Sequence, residues 1–366
     1  MPGSAGGSTP WKVERQGATD TRPASLIDPM DNPPLPSMPP PDAGATGTAS
    51  LLVAVVNYRT AGLTIDCLRS LQDEVRALPG ARIVVADNAS GDDSVERLLA
   101  AARAGRWASR VTIQPLEHNG GFAFGNNAVI RPALEGPAPP RYVLLLNPDT
   151  IVRPGALKAL VDFMEAHPEV GLAGSRLEEP DGTPQRSAFR FPSILGELEG
   201  GLRFGPVSRL LANWVMAPPV LEEQGPVDWV AGASLIIRRE VFESIGLLDE
   251  RYFMYFEEVD FCLRARRSGW PCWYVPQSRV VHLVGQSSGV TDPRAIRRRL
   301  PAYWFHSRRH YFLANHGRAK TFLANLAWAG AFATYRVRQA LQRKPDRDPD
   351  RMLRDFLRYN FLSVEK

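Results

Sequence analysis

Apolar residues along this chain fall into short blocks of two kinds, and their alternation predicts the architecture. Leu51 to Asn57 (LLVAVVN), Ile83 to Ala86 (IVVA) and Tyr142 to Leu146 (YVLLL) are nearly continuous apolar runs. Runs of that length and make-up suit strands buried on both faces. Val111 to Pro115 reads as one more strand. Between these runs the apolar positions change to helical spacing: Leu63, Cys67, Leu68 and Leu71, then Val95, Leu98 and Leu99, then Leu157, Leu160, Val161 and Met164. Pro154 is expected at the N1 position of the last of these helices. Alternation on this scale predicts an α/β fold with a mainly parallel central sheet flanked by helices.

Past Val170 the pattern is mixed. Residues 181–225 lack clear periodicity and are expected to include loops over the rim of the sheet. Val230 to Arg238 (VAGASLIIR) returns to strand character, and Val241, Phe242 and Ile245 open a short helix closed at Gly246. From Tyr303 the chain is expected to be a helical extension. Within it Phe322 to Tyr335 (FLANLAWAGAFATY) is strongly apolar and flanked by Arg318, Lys320, Arg336 and Arg338. That stretch is short for a membrane span. It suits a helix lying in the interface plane, or equally one docked on the rest of the protein. Residues 1–50, rich in Pro, Gly, Ser and Ala, are expected to form no core of their own. The expected divisions are therefore 1–50, 51–300 and 301–366.

Composition narrows the class. A 44% share of apolar residues among 366 is enough for a full core; the net charge of +5 is modest, and without a zinc finger, an RNA-binding signature or a long Lys/Arg tract, nucleic-acid binding is not expected. Cys67, Cys262 and Cys272 are odd in number, form no CxxC and lie among apolar residues, as buried thiols in a reducing compartment do. With no apolar signal-peptide core at the N-terminus, a cytoplasmic location is expected.

The candidate chemistry collects at strand ends. Asn57 ends LLVAVVN, Asp87 follows IVVA, and Asp149 follows LLLNP, where Pro148 stops the ladder and presents the acid at the carboxyl end. The absence of GxGxxG and GxxxxGK[ST] argues against a Rossmann dinucleotide site and a P-loop. Asp87 is suited to a base N–H, a ribose or an Asx turn within DNAS. Asp149 is suited to a hard divalent cation, Mg²⁺ or Mn²⁺. Glu257, Glu258 and Asp260 crowd one helical turn in FMYFEEVDFCLR, with Arg264 four residues past Asp260 as its partner. Mutual repulsion there is tolerated where one carboxylate deprotonates a substrate hydroxyl. His282 ends a short apolar strand, as either a metal ligand or a structural histidine. Trp229 with Gly232 offers a flat ring beside a flexible backbone, for sugar stacking or for a core.

The elements VAVVNYRTAGLTIDCLRSL, VVADNASGDDS, HNGGFAFGNN, LLLNPDT, VDWVAGASLIIRREVFESIGLLDERYFMYFEEVDFCLRARRSG and VVHLVGQSSG occur in this order over about Leu51 to Arg309. They resemble family 2 glycosyltransferases of the GT-A fold, in particular the bacterial rhamnosyltransferase-like branch. The resemblance implies a donor half at about 51–165 and an acceptor half at about 166–300. It implies Asn57 and Asp87 at the nucleotide pocket, Gly120, Gly121, Phe122 and Asn126 around the donor sugar, and Asp149 with His282 on the metal and diphosphate. Glu258 takes the place of the catalytic base, supported by Asp260 and Arg264. Trp229, Gly232 and Glu257 are expected on the acceptor side. Two departures stand out: Asn147 replaces the first acid of a DxD motif, and Glu-Glu stands where many relatives have Glu-Asp.

The resemblance further implies a metal-dependent, inverting hexosyltransferase. Its donor would be dTDP-L-rhamnose, and its acceptor a saccharide, polyprenyl-diphosphate-linked, in cell-wall or surface-polysaccharide synthesis at the inner face of the cell membrane. Transfer of galactofuranose or N-acetylglucosamine from a UDP donor is the alternative within the class, and a non-catalytic carbohydrate-binding scaffold the alternative outside it. An anionic membrane surface and a second copy of the chain are further expected partners, and nucleic acid is not.

Overall fold

The computed structural model describes residues 50–105, 107, 109–283 and 299–362. The predicted extension before residue 50, and VGQSS with Gly289 in the last quoted motif, lie outside them. In chain order the elements are β1 (Leu51–Asn57), α1 (Ala61–Ala77), β2 (Arg82–Asp87), α2 (Ser94–Ala104), β3 (Val111–Pro115), α3 (Gly121–Glu135), β4 (Tyr142–Leu146) and β5 (Thr150–Val152). They continue with α4 (Ala156–Ala166), β6 (Leu172–Glu178), β7 (Ala188–Phe189), α5 (Ile194–Leu202), α6 (Gly205–Leu210), β8 (Gly225–Val227), β9 (Trp229–Val230) and β10 (Ser234–Arg238). Last come α7 (Arg239–Ile245), α8 (Glu257–Arg267), β11 (Cys272–His282), α9 (Ala302–Leu341) and α10 (Met352–Leu357).

Two compact units result. The first, residues 50–191 and 218–283, is an α/β layer structure. Its sheet runs β3-β2-β1-β4-β10-β6-β11-β5, with β8 also on β11, while β7 and β9 form a separate two-stranded sheet. The four strands from β3 to β4 are parallel, and β11 is parallel to β6. β10 alone among these central strands runs against both its neighbours. Every residue of β1 and β4 is buried, as their unbroken apolar runs predict. One core cluster fills each face, Leu68, Leu71 and Leu160 on one side and Ile130, Val241 and Phe261 on the other.

A buried cation fastens the layer under the rim. Arg238, at the end of β10, is 2% exposed. It donates to the carbonyls of Met164 (2.6 Å), Val170 (2.9 Å) and His167 (3.1 Å) at the C-terminal end of α4, and to the Tyr142 hydroxyl (3.3 Å). The unsatisfied carbonyls of a helix end carry partial negative charge, so the guanidinium meets acceptors and field together. At the other end of α4, Glu74 of α1 reaches across to accept the backbone N–H groups of Gly155 (2.6 Å) and Leu157 (2.8 Å). Gly155, at φ 82°, is the cap there, so Pro154 stands ahead of the helix rather than at N1. The predicted strand over 230–238 divides into β9 and β10 around a turn at residues 231–233.

The second unit, residues 192–217 and 299–362, is helical among the described residues. Part of the aperiodic stretch thus folds as α5 and α6. Arg308, 2% exposed, donates to Glu197 (2.7 Å), Asn325 (2.7 Å) and Asn360 (3.1 Å), a polar knot inside this unit. Beside it Trp328 stacks on Phe332 and Phe356. Two of the large side chains in the predicted interfacial stretch, Trp328 and Phe332, are therefore core. Phe322, Leu323 and Leu326 are at least half exposed. Among the described residues no helix is long and apolar enough to cross a membrane.

Replacing Arg238 with Met keeps the bulk but leaves buried carbonyls without donors. Such groups cost about 1–3 kcal/mol each, so Arg238→Met is expected to lower unfolding free energy by about 3 kcal/mol in a urea titration. A loss below about 1 kcal/mol would show that water replaces the guanidinium there.

Candidate active site

Asn57 and Asp87 stand in register at the ends of β1 and β2. Asn57 Nδ2 donates to Asp87 Oδ2 (2.7 Å), and Asn57 Oδ1 accepts from the Thr64 hydroxyl (2.8 Å). Asp87 also accepts the Ser90 backbone N–H on Oδ1 (3.0 Å) and the Ser90 hydroxyl on Oδ2 (2.7 Å). The Asx-type turn of DNAS and a ligand-binding role are thus compatible: the turn fixes the carboxylate, and with roughly four acceptor positions available it keeps capacity on Oδ1.

The glycine-bearing loop adjoins this corner. Asn88 Nδ2 donates to Asn119 Oδ1 (2.9 Å) and to the carbonyl of Gly121 (3.0 Å), while Asn88 Oδ1 is buried without a partner. Gly121 sits at φ 90°, where a Cβ would lie 1.9 Å from the Phe253 carbonyl oxygen. That oxygen accepts the Phe122 N–H (2.8 Å), so the loop is bound to the segment leading into α8. Asn126 is buried and turns back onto the Phe122 carbonyl (2.9 Å). Asn127, not singled out in the sequence, exchanges bonds with the Leu248 backbone (2.8 and 3.2 Å). Asn88, Asn119 and Asn127 all lie in the quoted motifs, but only Asn88 borders a buried strand, while Asn127 is inside α3.

β4 ends at Leu146, and Asn147-Pro148-Asp149 turns the chain into β5. β5 pairs antiparallel with the end of β11, placing Thr150 opposite His282. Asp149 Oδ1 and His282 Nε2 are 3.6 Å apart, and Asn147 Nδ2 is 3.4 Å from the same nitrogen. The sequence-predicted pair is therefore brought together. Among the described residues no group of three or more His, Cys, Asp or Glu converges as a metal cage. One carboxylate and one imidazole fit a divalent ion that takes its other ligands from phosphate oxygens and water. Cys67, beneath this turn, is 3.4 Å from the Thr150 hydroxyl, and burial pushes its thiol up to about 12, so it is inert packing.

The acidic cluster opens α8. Tyr255 and Phe256 precede it at φ 70° and 71°, an unfavourable backbone for bulky residues. Asp260 accepts from Arg264 Nε (2.7 Å) and from the Tyr252 hydroxyl (3.3 Å). Arg264 also donates to the carbonyls of Ile245 (2.8 Å) and Leu247 (3.0 Å), so this pair clamps α8 to the end of α7. Glu257 is buried and Glu258 half-buried, and one carboxylate oxygen of each has no hydrogen-bond partner. Burial raises the Glu258 carboxyl above its ordinary range, opposed by hydrogen bonds from the helix N-terminus and the Gly232 backbone. Burial and then the charge of Glu258 push Glu257 well above its own. Gly232 lies against Glu258 and Phe122. Trp229 stacks on Phe189 (4.4 Å, 19°) and donates to the Arg190 carbonyl (2.8 Å), so one ring face is already covered.

Residues 48–300 match the family described as Glycosyltransferase like family 2. The chain belongs to that family. It is 36% identical over 156 residues to the N-acetylglucosaminyl-diphospho-decaprenol L-rhamnosyltransferase of Mycobacterium tuberculosis, covering 42% of this chain and 50% of that protein. It is 26% identical over 201 residues to rhamnosyltransferase WbbL of Escherichia coli, covering 53% of this chain and 73% of that protein. The alignment thus spans about half the length of the mycobacterial relative. Among solved structures, GalNAc-T7 with UDP, GalNAc and Mn2+ has a similar fold, with a TM-score of 0.51 and 15% identity over 86% of this chain and 55% of that one. The relatives agree with the rhamnosyltransferase-like branch read in the motifs, and the architecture with a GT-A-type glycosyltransferase fold.

The buried Glu257 is expected to lower stability at neutral pH. A raised folded-state carboxyl means that the folded chain binds the proton more tightly than the unfolded one, so stability falls as pH rises above the unfolded value. Glu257→Gln removes that dependence. Its melting temperature is expected to exceed the parent's at pH 8, by about 2–4 °C for each kcal/mol relieved, and to converge with it below the ordinary carboxylate range. An unchanged difference across that pH range would show that the acid is not the cause.

Proposed function

We propose that this chain is an inverting glycosyltransferase that moves L-rhamnose from dTDP-L-rhamnose to the hydroxyl of a polyprenyl-diphosphate-linked saccharide. The observation that carries the reaction type is Glu258, a half-buried carboxylate with an unpartnered oxygen, set beside Gly232 at the rim that bears the Asp149–His282 pair. The likeness to enzymes named as rhamnosyltransferases, one of them acting on a decaprenol-linked N-acetylglucosamine by its name, supports the donor sugar and acceptor class.

In the proposed reaction Glu258 accepts the proton of the acceptor hydroxyl as its oxygen attacks the sugar C1. The C1–O bond to the diphosphate breaks on the opposite face, the diphosphate leaves with the electron pair, and configuration inverts. A base in a low-dielectric position with a raised proton affinity is well matched to a hydroxyl proton, and helix α8 supplies backbone donors that keep it oriented. Asp260 and Arg264 act as positioning residues, holding the first turn of α8 where the acid must point. Asn57 and Asp87 would receive the nucleoside, with the loop from Gly120 to Phe122 and Asn126 enclosing the sugar. Trp229, Gly232 and Glu257 would border the acceptor. Asp149 and His282 would hold a divalent cation, Mg²⁺ or Mn²⁺, whose charge would stabilise the departing diphosphate.

A panel of nucleotide sugars tests the donor: dTDP-L-rhamnose is expected to be consumed in preference to UDP-galactofuranose and UDP-N-acetylglucosamine. Preferred turnover of a UDP sugar would overturn the donor and keep the enzyme class. With the preferred donor, Glu258→Gln is expected to lower kcat by about 10²- to 10⁴-fold with little change in donor affinity. The parent's acid limb should lie above the ordinary carboxylate range, because the base must first lose a tightly held proton. Near-parental kcat in Glu258→Gln would remove this residue from the chemistry.

The cation has its own test. EDTA is expected to abolish transfer and Mn²⁺ or Mg²⁺ to restore it. Titration calorimetry should show Asp149→Asn losing cation-dependent binding of the nucleoside diphosphate at unchanged melting temperature. Full activity of metal-stripped enzyme would exclude the scheme, and parental cation-dependent binding by His282→Ala would take the histidine out of it.

A further inference from the structure

The helical unit carries a surface that sugar transfer does not use. α9 breaks at Gly317 (φ 74°, ψ 172°), and the limb that follows has two unlike faces. Ala324, Trp328 and Phe332 are buried on one. On the other, Phe322 is 55%, Leu323 50%, Leu326 54%, Val337 62% and Leu341 80% exposed. With exposed Gly330 and Thr334 between, positions 323, 326, 330, 334, 337 and 341 follow the spacing of a single helical face. Phe322 meets Phe361 edge-on (5.9 Å), which continues the row onto the last turn, where Leu362 is 75% exposed. An apolar row of this kind, interrupted only by Gly330 and Thr334, marks a docking surface rather than scattered surface leucines.

Charge decides what docks. From Ala302 to Leu341 the chain contains no Asp or Glu. Arg318 and Lys320 are exposed where the limb begins, and Arg343 and Lys344 just past its end. A second copy joined through this row by a two-fold axis would bring cations against cations, whether the limbs ran parallel or antiparallel. An anionic lipid surface satisfies both the row and its flanks. We infer that the outer face of this limb lies in the plane of an anionic bilayer, with Phe322, Leu323 and Leu326 among the acyl chains and Arg318 and Lys320 among the headgroups.

Co-sedimentation of the full chain with vesicles tests this, using phosphatidylcholine alone and phosphatidylcholine with added phosphatidylglycerol, at low and high salt. Binding is expected to the anionic vesicles, and to be about tenfold weaker or more on neutral vesicles and at high salt. The triple variant Phe322→Ser, Leu323→Ser, Leu326→Ser should lose at least about tenfold in partitioning at an unchanged melting temperature. Arg318→Glu with Lys320→Glu, which leaves the apolar row intact, should weaken binding at low salt and flatten its salt dependence. Failure of the parent to bind anionic vesicles would overturn the inference, as would parental binding by both variants. So would an oligomer of the parent that the triple variant dissolves in sedimentation velocity, because the face would then be a subunit interface. Vesicle binding is read without donor or acceptor, so its failure and a failure of the transferase reading are separate results.

Discussion

One backbone hydrogen bond, from the Asn147 N–H to the Ala233 carbonyl (3.1 Å), joins the two sides of the candidate site. The ladder between β1 and β4 ends at Leu146, and Pro148 has no N–H to extend it. β10 runs antiparallel to β4 with Ser234 opposite Leu146, so it enters the sheet at the rim where the parallel strands leave. The residues just before it, Trp229 to Ala233, must then lie beside Asn147-Pro148-Asp149. Gly232 in turn packs on Glu258. The single reversed strand among the central ones is what allows Asp149 and Glu258, far apart along the chain, to share an edge.

That edge is held together against its own preferences. Two carboxylates begin one helix with unpartnered oxygens, after two bulky residues at positive φ, a backbone worth roughly 1–3 kcal/mol of strain at each position. The surroundings offset this with fixed bonds rather than with more apolar area. Arg264 links Asp260 to the end of α7, Asn127 links α3 to Leu248, and the Phe253 carbonyl takes the N–H of Phe122. Each holds backbone that would otherwise relax away from the acids. Strain and unpartnered polar atoms gathered at one place, and supported from several elements, are the mark of a site shaped by chemistry rather than packing.

The parallel half was legible because a strand buried on both faces has one signature, and β1 and β4 fall where their apolar runs put them. The pairing of Asp149 with His282 could be expected only through the resemblance, since it depends on β5, three residues long, aligning with β11 across the sheet. No local pattern reports such a register. The same holds for Arg238, whose acceptors are carbonyls and therefore invisible in side-chain composition. Asn88 escapes a sequence reading because asparagine at a strand end is ordinarily a local cap, and Asn127 because one asparagine inside a helix makes no pattern, whereas here each bonds to a distant loop. Trp229 read equally as a stacking platform or as core, and its contact with Phe189 shows why composition could not separate the two.

The C-terminal limb poses a different problem of legibility. FLANLAWAGAFATY is apolar nearly all round, and a surface of that kind can rotate about its axis with small changes in buried area. Hydrophobicity therefore leaves open which side chains turn inward. The buried guanidinium of Arg308 closes the question, because it needs the amide oxygens of Asn325 and Asn360 together with the Glu197 carboxylate. A rotation that moved Asn325 away would leave a buried cation short of acceptors, at a cost of several kcal/mol that no regained apolar contact would match. With Asn325 held inward, helical geometry sends Trp328 and Phe332 to the same side and Leu323 and Leu326 outward. A polar knot inside the unit thus determines which apolar residues its outer surface presents.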